Sequence, residues 1–456
     1  MIASRIDASV LSDNRTIAAI ATPPGRSAVA LIRISGPDVR AIAAKLLIPT
    51  PSSVRHATRC VVHDVLGGVI DDAIATMFLA PYSYTGEDTL EISTHGGLVV
   101  PIAVLGAAIS AGARLAEAGE FTRRAVLNGK LDLFQAEAIG DLIDAQNSAA
   151  HRLALQQFDG GLARRISALR TQVLSLDAML AYDIDFPEED DGPIPAEQIT
   201  VRASELLVAL DGLLATSEHA ALIHRGSLVV LAGAPNVGKS SLFNALLGEA
   251  RAIVTEMPGT TRDAIEAVLD RPEWPLRLVD TAGVRATTDA IELMGISIST
   301  RYLAQAAVVL WCINSAADAG QLDAMRIHTS ARIIVVATKA DVLAADAQWG
   351  ADIAVSALTG KGLSTLLEKI DEALTATHGT LAPEAPILTR ARHRAGVNRA
   401  RAELSLFLDA WTEKTLPASI AATHVRAASD ALSELIGIVH VDDILDVLFR
   451  SFCVGK

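Results

Sequence analysis

Cysteine is scarce in this chain of 456 residues, and the three present, Cys60, Cys312 and Cys453, are far apart and odd in number. That excludes a disulfide framework and offers no paired spacing for a zinc site. Positive charge is in deficit as well, with 39 Lys and Arg against 53 Asp and Glu and a net charge of −14. Such a balance argues against a protein that coats nucleic acid electrostatically, so an RNA substrate would be held by a local patch or largely by a partner. No uninterrupted apolar run approaches the roughly 20 residues of a membrane span. The N-terminus lacks the basic and apolar regions of a signal peptide, and the expectation is a cytoplasmic protein without a membrane span. Neither a short-period repeat nor a KH-like Gly-x-x-Gly loop after residue 380 is present. Half of the residues are hydrophobic and 20% charged, enough for two to four domains with large helical cores.

The most specific segment is Gly233-Ala-Pro-Asn236-Val237-Gly238-Lys239-Ser240-Ser241, which fits Gly-x-x-x-x-Gly-Lys-Ser. Leu228 to Ala232 reads as a buried parallel strand, and Leu242, Leu246 and Leu247 recur at helical spacing after it. A chance glycine-rich turn would not need that order of strand, loop and helix. In a P-loop the glycines permit a tight backbone path whose N–H groups face phosphates, Lys239 reaches the β and γ oxygens, and Ser240 ligates Mg²⁺.

Three shorter motifs follow in the order of a guanine-nucleotide switch. Asp280-Thr281-Ala282-Gly283 ends a strand-like run and would put a carboxylate near Mg²⁺ and an amide near the γ-phosphate. Thr338-Lys339-Ala340-Asp341 ends another, and Asp341 can accept from the two N–H donors that guanine presents and adenine lacks. Ser356-Ala357-Leu358 would set backbone amides against the guanine carbonyl. Each motif alone is equally an ordinary strand-to-loop junction. Small GTPases most often carry Asn at the position of Thr338, and Val284 stands where Ras-like enzymes place a water-orienting glutamine. Water positioning then falls to a distant acidic side chain, a partner residue or an added cation. Glu292 is the candidate acid; its plainer reading is a solvated residue at a helix start.

Residues 1–125 mix β-branched runs (Ala28 to Ile34, Ala73 to Leu79, Leu90 to Ser93) with turns and a helix-like Val99 to Ala111, the pattern of an α+β domain. Residues 126–222 turn helical, with an apolar stripe of Leu153, Phe158, Leu162, Ile166, Leu169, Val173, Leu176 and Leu180. The acidic, proline-bearing stretch from Asp183 to Pro195 reads as a loop. Strand and helix alternate over 223–380, and 381–456 is helical again. The fold class expected is multidomain, α/β and α, with a GTPase domain inserted into a helical one. Candidate basic patches are Arg123, Arg124 and Lys130, then Arg164 and Arg165, then Arg390, Arg392, His393, Arg394, Arg399 and Arg401; the last run is also the pattern of a solvated helix face.

Taken together, Asn236 in the P-loop, Gly259-Thr-Thr-Arg-Asp263, Asp280 to Gly283, Ile291-Glu-Leu-Met-Gly-Ile296 and the terminal Cys453-Val-Gly-Lys456 resemble the MnmE (TrmE) family of tRNA wobble-uridine modification GTPases. Ala21-Thr-Pro-Pro-Gly-Arg26, Ser83 to Asp88, His95-Gly-Gly97, Gly119 to Thr122 and Leu127 to Leu133 extend the likeness over the whole chain. The family usually has Ile where Val454 stands. The resemblance implies a folate-binding-like, dimerising N-terminal domain, with Arg33, Glu91, Lys130 and Lys456 at the site of 5,10-methylene- or 5-formyl-tetrahydrofolate. Arg33 and Glu91 could equally be strand residues in an ion pair, and Cys453 a reactive thiol or an apolar plug. The resemblance also implies a switch loop of Thr255, Glu256, Met257, Pro258, Gly259, Thr260 and Thr261. There Thr261 would join Ser240 on Mg²⁺, while Asn236, Thr255, Met257 and Thr260 would hold K⁺. It implies a homodimer, a flavoprotein partner MnmG carrying FAD in a heterotetramer, and a tRNA substrate. A GTPase switch in ribosome assembly, without modification chemistry, is the alternative, and a folate-dependent transferase with a degenerate GTPase appendage a third class.

Overall fold

The computed structural model describes residues 14–185, 194–249, 252–253, 265–280, 301–327, 329–342, 349–379, 385–437 and 455. Contacts divide the chain into two compact units, one of Met1–Gly140, Ile166–Pro195 and Asp409–Lys456, the other of Asp141–Arg165 and Ala196–Leu408.

The first unit opens with β1 (Ile17–Ile20), β2 (Val29–Ser35), α1 (Val39–Leu46), β3 (Leu47–Ile48), β4 (Thr58–His63), β5 (Val69–Phe78), β6 (Thr89–His95), α2 (Val100–Ala111), β7 (Arg114–Leu115) and α3 (Glu120–Leu127). Its seven strands lie in the order β3-β4-β5-β6-β2-β1-β7, antiparallel apart from the β1–β7 pair. Strand alternation decides which residues meet. Ala30, Ile32 and Ile34 of β2 and Leu90 and Ile92 of β6 are buried, the isoleucines and leucine packing with Ile42 and Leu46 of α1 and Val104 and Ala108 of α2. The residues between them point to the opposite face, where the register sets Arg33 directly across from Glu91. On that face Ile17, Ala19, Ala116 and Phe121 form a second small core with Tyr84 against it.

Four helices follow: α4 (Leu133–Asp144), α5 (Ser148–Phe158), α6 (Gly161–Asp185) and α7 (Ala196–Arg225). The apolar stripe expected from Leu153 to Leu180 is shared by two of them, because Asp159 and Gly160, the latter at φ +78°, end α5 before α6 starts. Leu162, Ile166, Leu169, Val173, Leu176 and Leu180 are buried along α6. By length and composition alone α7 could cross a membrane. Yet it buries Ile199, Ala203, Leu206, Leu210 and Leu213 at three- and four-residue spacing, and Asp211 on it pairs with Arg401, which is how a core helix with one wet face is built.

The second unit contains β8 (Ser227–Gly233), α8 (Lys239–Glu249), β9 (Ala252–Ile253), β10 (Ile265–Leu269), β11 (Leu276–Asp280), β12 (Val308–Ile313), α9 (Ala316–Ala319), α10 (Leu322–Arg326), β13 (Arg332–Ala337), β14 (Ile353–Ala354) and α11 (Leu363–His378). Strand order is β14-β13-β12-β8-β11-β10-β9; the first five are parallel and the last two add on antiparallel. Residues Ser227 to Ala232 of β8 and all of β12 are buried, which is why both read as continuous apolar runs. Since β8 has β11 on one side and β12 on the other, the crevice beyond its carboxyl end is where such a sheet binds ligands.

In the same unit α5 is tied at three places. The Asn147 side chain accepts from Ala150 N and donates to Ile223 O at the end of α7. Ser148 donates to Asp270 Oδ1 through both its amide and its hydroxyl, each at 2.8 Å, and Arg152 donates to Pro272 O, so the helix start is fastened to the turn joining β10 and β11. Gln157 donates to Thr389 Oγ1 at 2.7 Å, just before α12 (Ala391–Glu413). In the first unit α13 (Ala418–Leu435) meets α6 through Arg170 to Ser433 at 2.6 Å and Arg426 to Asp177 at 3.2 Å.

Candidate nucleotide-binding site

The loop between β8 and α8 follows the path its glycines allow. Gly233 sits at φ +140° with Cys312 O only 2.4 Å from where a Cβ would lie, and Gly238 is at φ +109°. Lys239, 6% exposed, donates from Nζ to Gly233 O at 2.9 Å and Ala234 O at 2.8 Å, arching over its own loop. Burial lowers its pKa, partly offset by Cys312 and Asp280. Ser240 Oγ donates to Asp280 Oδ2 at 2.6 Å, so the loop hydroxyl and the carboxylate ending β11 converge as a hard oxygen pair that suits Mg²⁺. Beneath the loop Cys312 is wholly buried, and burial pushes its thiol up to about 12. It packs as a small apolar residue, as does Cys60, whose thiol burial also raises.

The carboxyl ends of β13 and β14 supply the second half of the site. Gly238, Leu242, Thr338, Asp341, Val355 and Leu358 line a cavity of about 150 Å³. Ser241, Lys339 and Ala357 border the same space. Thr338, at the departure from the usual Asn, donates from Oγ1 to Val237 O and to Ile313 O, tying this motif to the P-loop. Lys339, at φ +59°, donates to Asn236 O at 3.1 Å, making a second tie, and Asn236 itself is exposed at φ +62°. Ala340 N donates to Val355 O. Ser356 Oγ donates to Asp341 Oδ1 at 2.6 Å, and that bond holds the carboxyl below its ordinary range.

Sequence reading did not anticipate the two ties or the Ser356 to Asp341 bond. The local turn in which Thr359 N donates to Ser356 Oγ follows a common sequence pattern, but the bond from Ser356 to Asp341, 15 residues away, carries no such signal. Thr255, Glu256, Met257, Pro258, Gly259, Thr260, Thr261, Thr281, Ala282, Gly283, Val284, Glu292, Cys453, Val454 and Lys456 lie outside the described residues.

In the first unit Arg33 donates to Glu91 Oε1 from Nε at 2.9 Å and from Nη2 at 2.8 Å. The guanidinium lies over the rings of Tyr84 and Phe121, with its carbon 5.2 and 5.7 Å from their centroids. The two charges expected to meet a ligand thus also meet each other. Lys130 is exposed, and its stem packs where a Cβ on Gly86, φ +79°, would come within 3.2 Å. Gly455, at φ +105°, is buried so closely against Ile20 and Ala21 that a Cβ would lie 2.5 Å from Ile20 O. That sets Gly455 at the end of β1, the strand beside the one bearing Arg33.

Two of the basic patches need correction. Arg124 is buried and paired with Glu87 and Glu120, because its place on α3 faces the carboxylates of the Ser83 to Asp88 segment. In the longest run His393 is fully buried, while Arg390 pairs with Asp141 and Arg401 with Asp211. Arg164 donates to Asp159 O, and both it and Arg165 are exposed.

A family model described as the MnmE helical domain matches residues 133–453, and one described as the GTP-binding protein TrmE N-terminus matches 16–130. The tRNA modification GTPase MnmE of Moorella thermoacetica is 40% identical over 97% of this chain and 99% of its own length. Its counterpart in Aquifex aeolicus is 40% identical over 96% and 99%, and that of Neisseria meningitidis 41% identical over 98% and 100%. Among solved structures the G domain of the T. maritima FeoB iron transporter aligns at 29% identity over 32% of this chain and 98% of that one, with a TM-score of 0.26, too low to carry an argument. The two family matches together cover the α+β segment and the helical one with the P-loop inside it, and the relatives align almost end to end, so the chain belongs to the MnmE family.

Proposed function

We propose that this chain is a GTP-hydrolysing, tRNA-modifying enzyme that acts at C5 of the wobble uridine, adding a carboxymethylaminomethyl-type group together with the flavoprotein MnmG. The observation that carries the nucleotide half is that the P-loop bearing Lys239 and Ser240, whose hydroxyl meets Asp280, is tied through Thr338 and Lys339 to the motif bearing Asp341, with Gly238, Ser241 and Asp341 lining one cavity. The tRNA half is supported by the names of relatives that match over nearly their whole length. In this reading Lys239 binds the β and γ oxygens, Ser240 and Thr261 hold Mg²⁺, and Asp341 reads guanine. The Ser240 hydroxyl beside Asp280 fits a hard cation; bound there, Mg²⁺ would neutralise phosphate charge. Glu292 positions the attacking water.

The further parts of the proposal follow family position. Residues 223–380 form the GTPase domain inserted between helical parts 126–222 and 381–456, and 1–125 form the folate-binding-like, dimerising domain. Ties from α5 to the β10–β11 turn and to α7 give nucleotide-dependent movement a route into helical structure of the same unit. Arg33, Glu91, Lys130 and Lys456 hold a reduced folate, which supplies the one-carbon unit; the cationic and anionic groups of the Arg33–Glu91 pair fit its carboxylate and pterin N–H groups. A homodimer, a heterotetramer with MnmG and a cytoplasmic location complete it.

Loss of the gene should remove the modified wobble uridine, and a plasmid copy should restore it; an unchanged nucleoside profile in the deletion strain refutes the reading. A second expectation concerns the cation held by Asn236, Thr255, Met257 and Thr260. With an apolar Val284 at the water-orienting position, hydrolysis should run at least about tenfold faster in KCl than in matched NaCl, since K⁺ would offset charge developing at the β/γ bridge as two GTPase domains pair. Glu292→Ala should lower turnover at nearly unchanged GTP affinity. Equal rates in the two salts end the cation role, and an unimpaired Glu292→Ala variant ends the other.

A further inference from the structure

A large charged hollow in the second unit lies away from the nucleotide crevice. Asp141 at the end of α4, Ser217 and Arg225 on α7, Thr389, and Arg390 and Arg394 at the start of α12 line a cavity of about 380 Å³. His224 shares its wall; desolvation lowers its pKa, with Asp141 opposing and Arg390 adding to that shift. Arg390 is anchored by a carboxylate, Asp141 at 2.6 Å. Among the described residues neither Arg225 nor Arg394 has an ion-pair partner, and both are exposed. Three guanidiniums thus face one carboxylate, with two hydroxyls beside them, in a chain whose net charge is −14.

A hollow of that composition recognises an oxyanion. Guanidinium forks pair with phosphate through two parallel N–H donors, and hydroxyls complete the remaining oxygens. An acidic chain that acts on RNA has to confine its attraction to such places, because elsewhere its field repels the polyanion. We propose that this cavity is a docking site for backbone phosphate of the tRNA substrate, with Arg225 and Arg394 as the phosphate-binding groups and the Asp141-anchored Arg390 as the fixed wall. The inference rests on the tRNA-modifying reading above. It also changes which residues of the basic run matter: Arg394 is joined by Arg225, 169 positions earlier in sequence and absent from any basic cluster, while the buried His393 takes no part.

The test measures labelled tRNA binding to the full-length chain across a series of KCl concentrations, for wild type, the R225E/R394E double variant and R225K/R394K. Arg390 is left intact so that its ion pair survives. The charge reversal should weaken tRNA binding at least about tenfold and reduce the slope of log affinity against log salt by about 2, one for each phosphate no longer neutralised. The lysine pair, which keeps the charge, should retain most of the affinity and the slope, and all three proteins should hydrolyse GTP alike in the absence of tRNA. Wild-type affinity and slope in a folded R225E/R394E protein overturn the proposal, as does a cavity that binds tripolyphosphate, losing it in the double variant, while tRNA binding stays unchanged. A wild-type chain with no measurable tRNA affinity also defeats the cavity, while the tRNA-modifying reading falls separately, on an unchanged wobble-uridine profile in the deletion strain. Equal binding by wild type and double variant defeats the cavity alone.

Discussion

Replacing Lys239 with alanine should reduce GTP affinity by about a hundredfold or more while leaving the fold intact. Hydrogen bonds to charged groups contribute about 1.5–3 kcal/mol each, and an ammonium group spanning two phosphates makes at least two. In the structure the same Nζ donates to the carbonyls of Gly233 and Ala234, so the side chain stands where it can exchange loop carbonyls for phosphate oxygens without moving its backbone. Losing those two bonds in the unliganded protein costs about 1.5–3 kcal/mol apiece, and removal of a charge that burial disfavours offsets part of it, so the melt should shift down without collapsing. Titration calorimetry with GTP, paired with a thermal melt, separates the two effects. Unchanged affinity would remove Lys239 from the phosphate site; a collapsed melt would mean that its role is structural.

How much of this was legible in the sequence follows from how local each feature is. The P-loop is contiguous and its glycines are dictated by backbone geometry, so motif, strand and helix are visible together at 228–247. Strands β2, β5 and β6 were readable from β-branched runs, whereas β1, Ile-Ala-Ala-Ile, has too little side-chain character to announce itself. The break at Asp159 and Gly160 was hidden because the apolar stripe continues across it in sequence. Pairings between distant segments carried no signal: the Thr338 tie to Val237 spans 101 residues, and the Arg225 side of the charged cavity stands at the end of a helix far in sequence from Arg390 and Arg394. The Arg33 to Glu91 pair lies between these cases, since alternation placed each on a strand face but only register could set them opposite one another.

Asp341→Asn should invert base selectivity with little effect on stability. The substitution is isosteric, the position is exposed, and Oδ1 can still accept from Ser356. What changes is the second oxygen. A carboxylate accepts from both N–H donors of guanine, while an amide offers one acceptor and sets an NH₂ against the remaining donor, so GTP affinity should fall on the order of a thousandfold. Xanthine replaces that donor with a carbonyl, which the amide can satisfy, and XTP should become the preferred nucleotide. Ser356→Ala provides the control, because it keeps the carboxylate and removes only the bond that orients it; a smaller loss with no gain for XTP is expected. The sign of the pH dependence is set by the same bond. Since Ser356 holds the Asp341 carboxyl below its ordinary range, the acceptor pair persists above the usual carboxylate pKa and is lost only as pH falls through the depressed value. Guanine selectivity should therefore stay flat from about pH 8 to about pH 5 in the wild-type chain. Competition between GTP and XTP for a fluorescent analogue reads both variants directly, and an Asp341→Asn protein that is folded and still prefers GTP would show that guanine is read elsewhere.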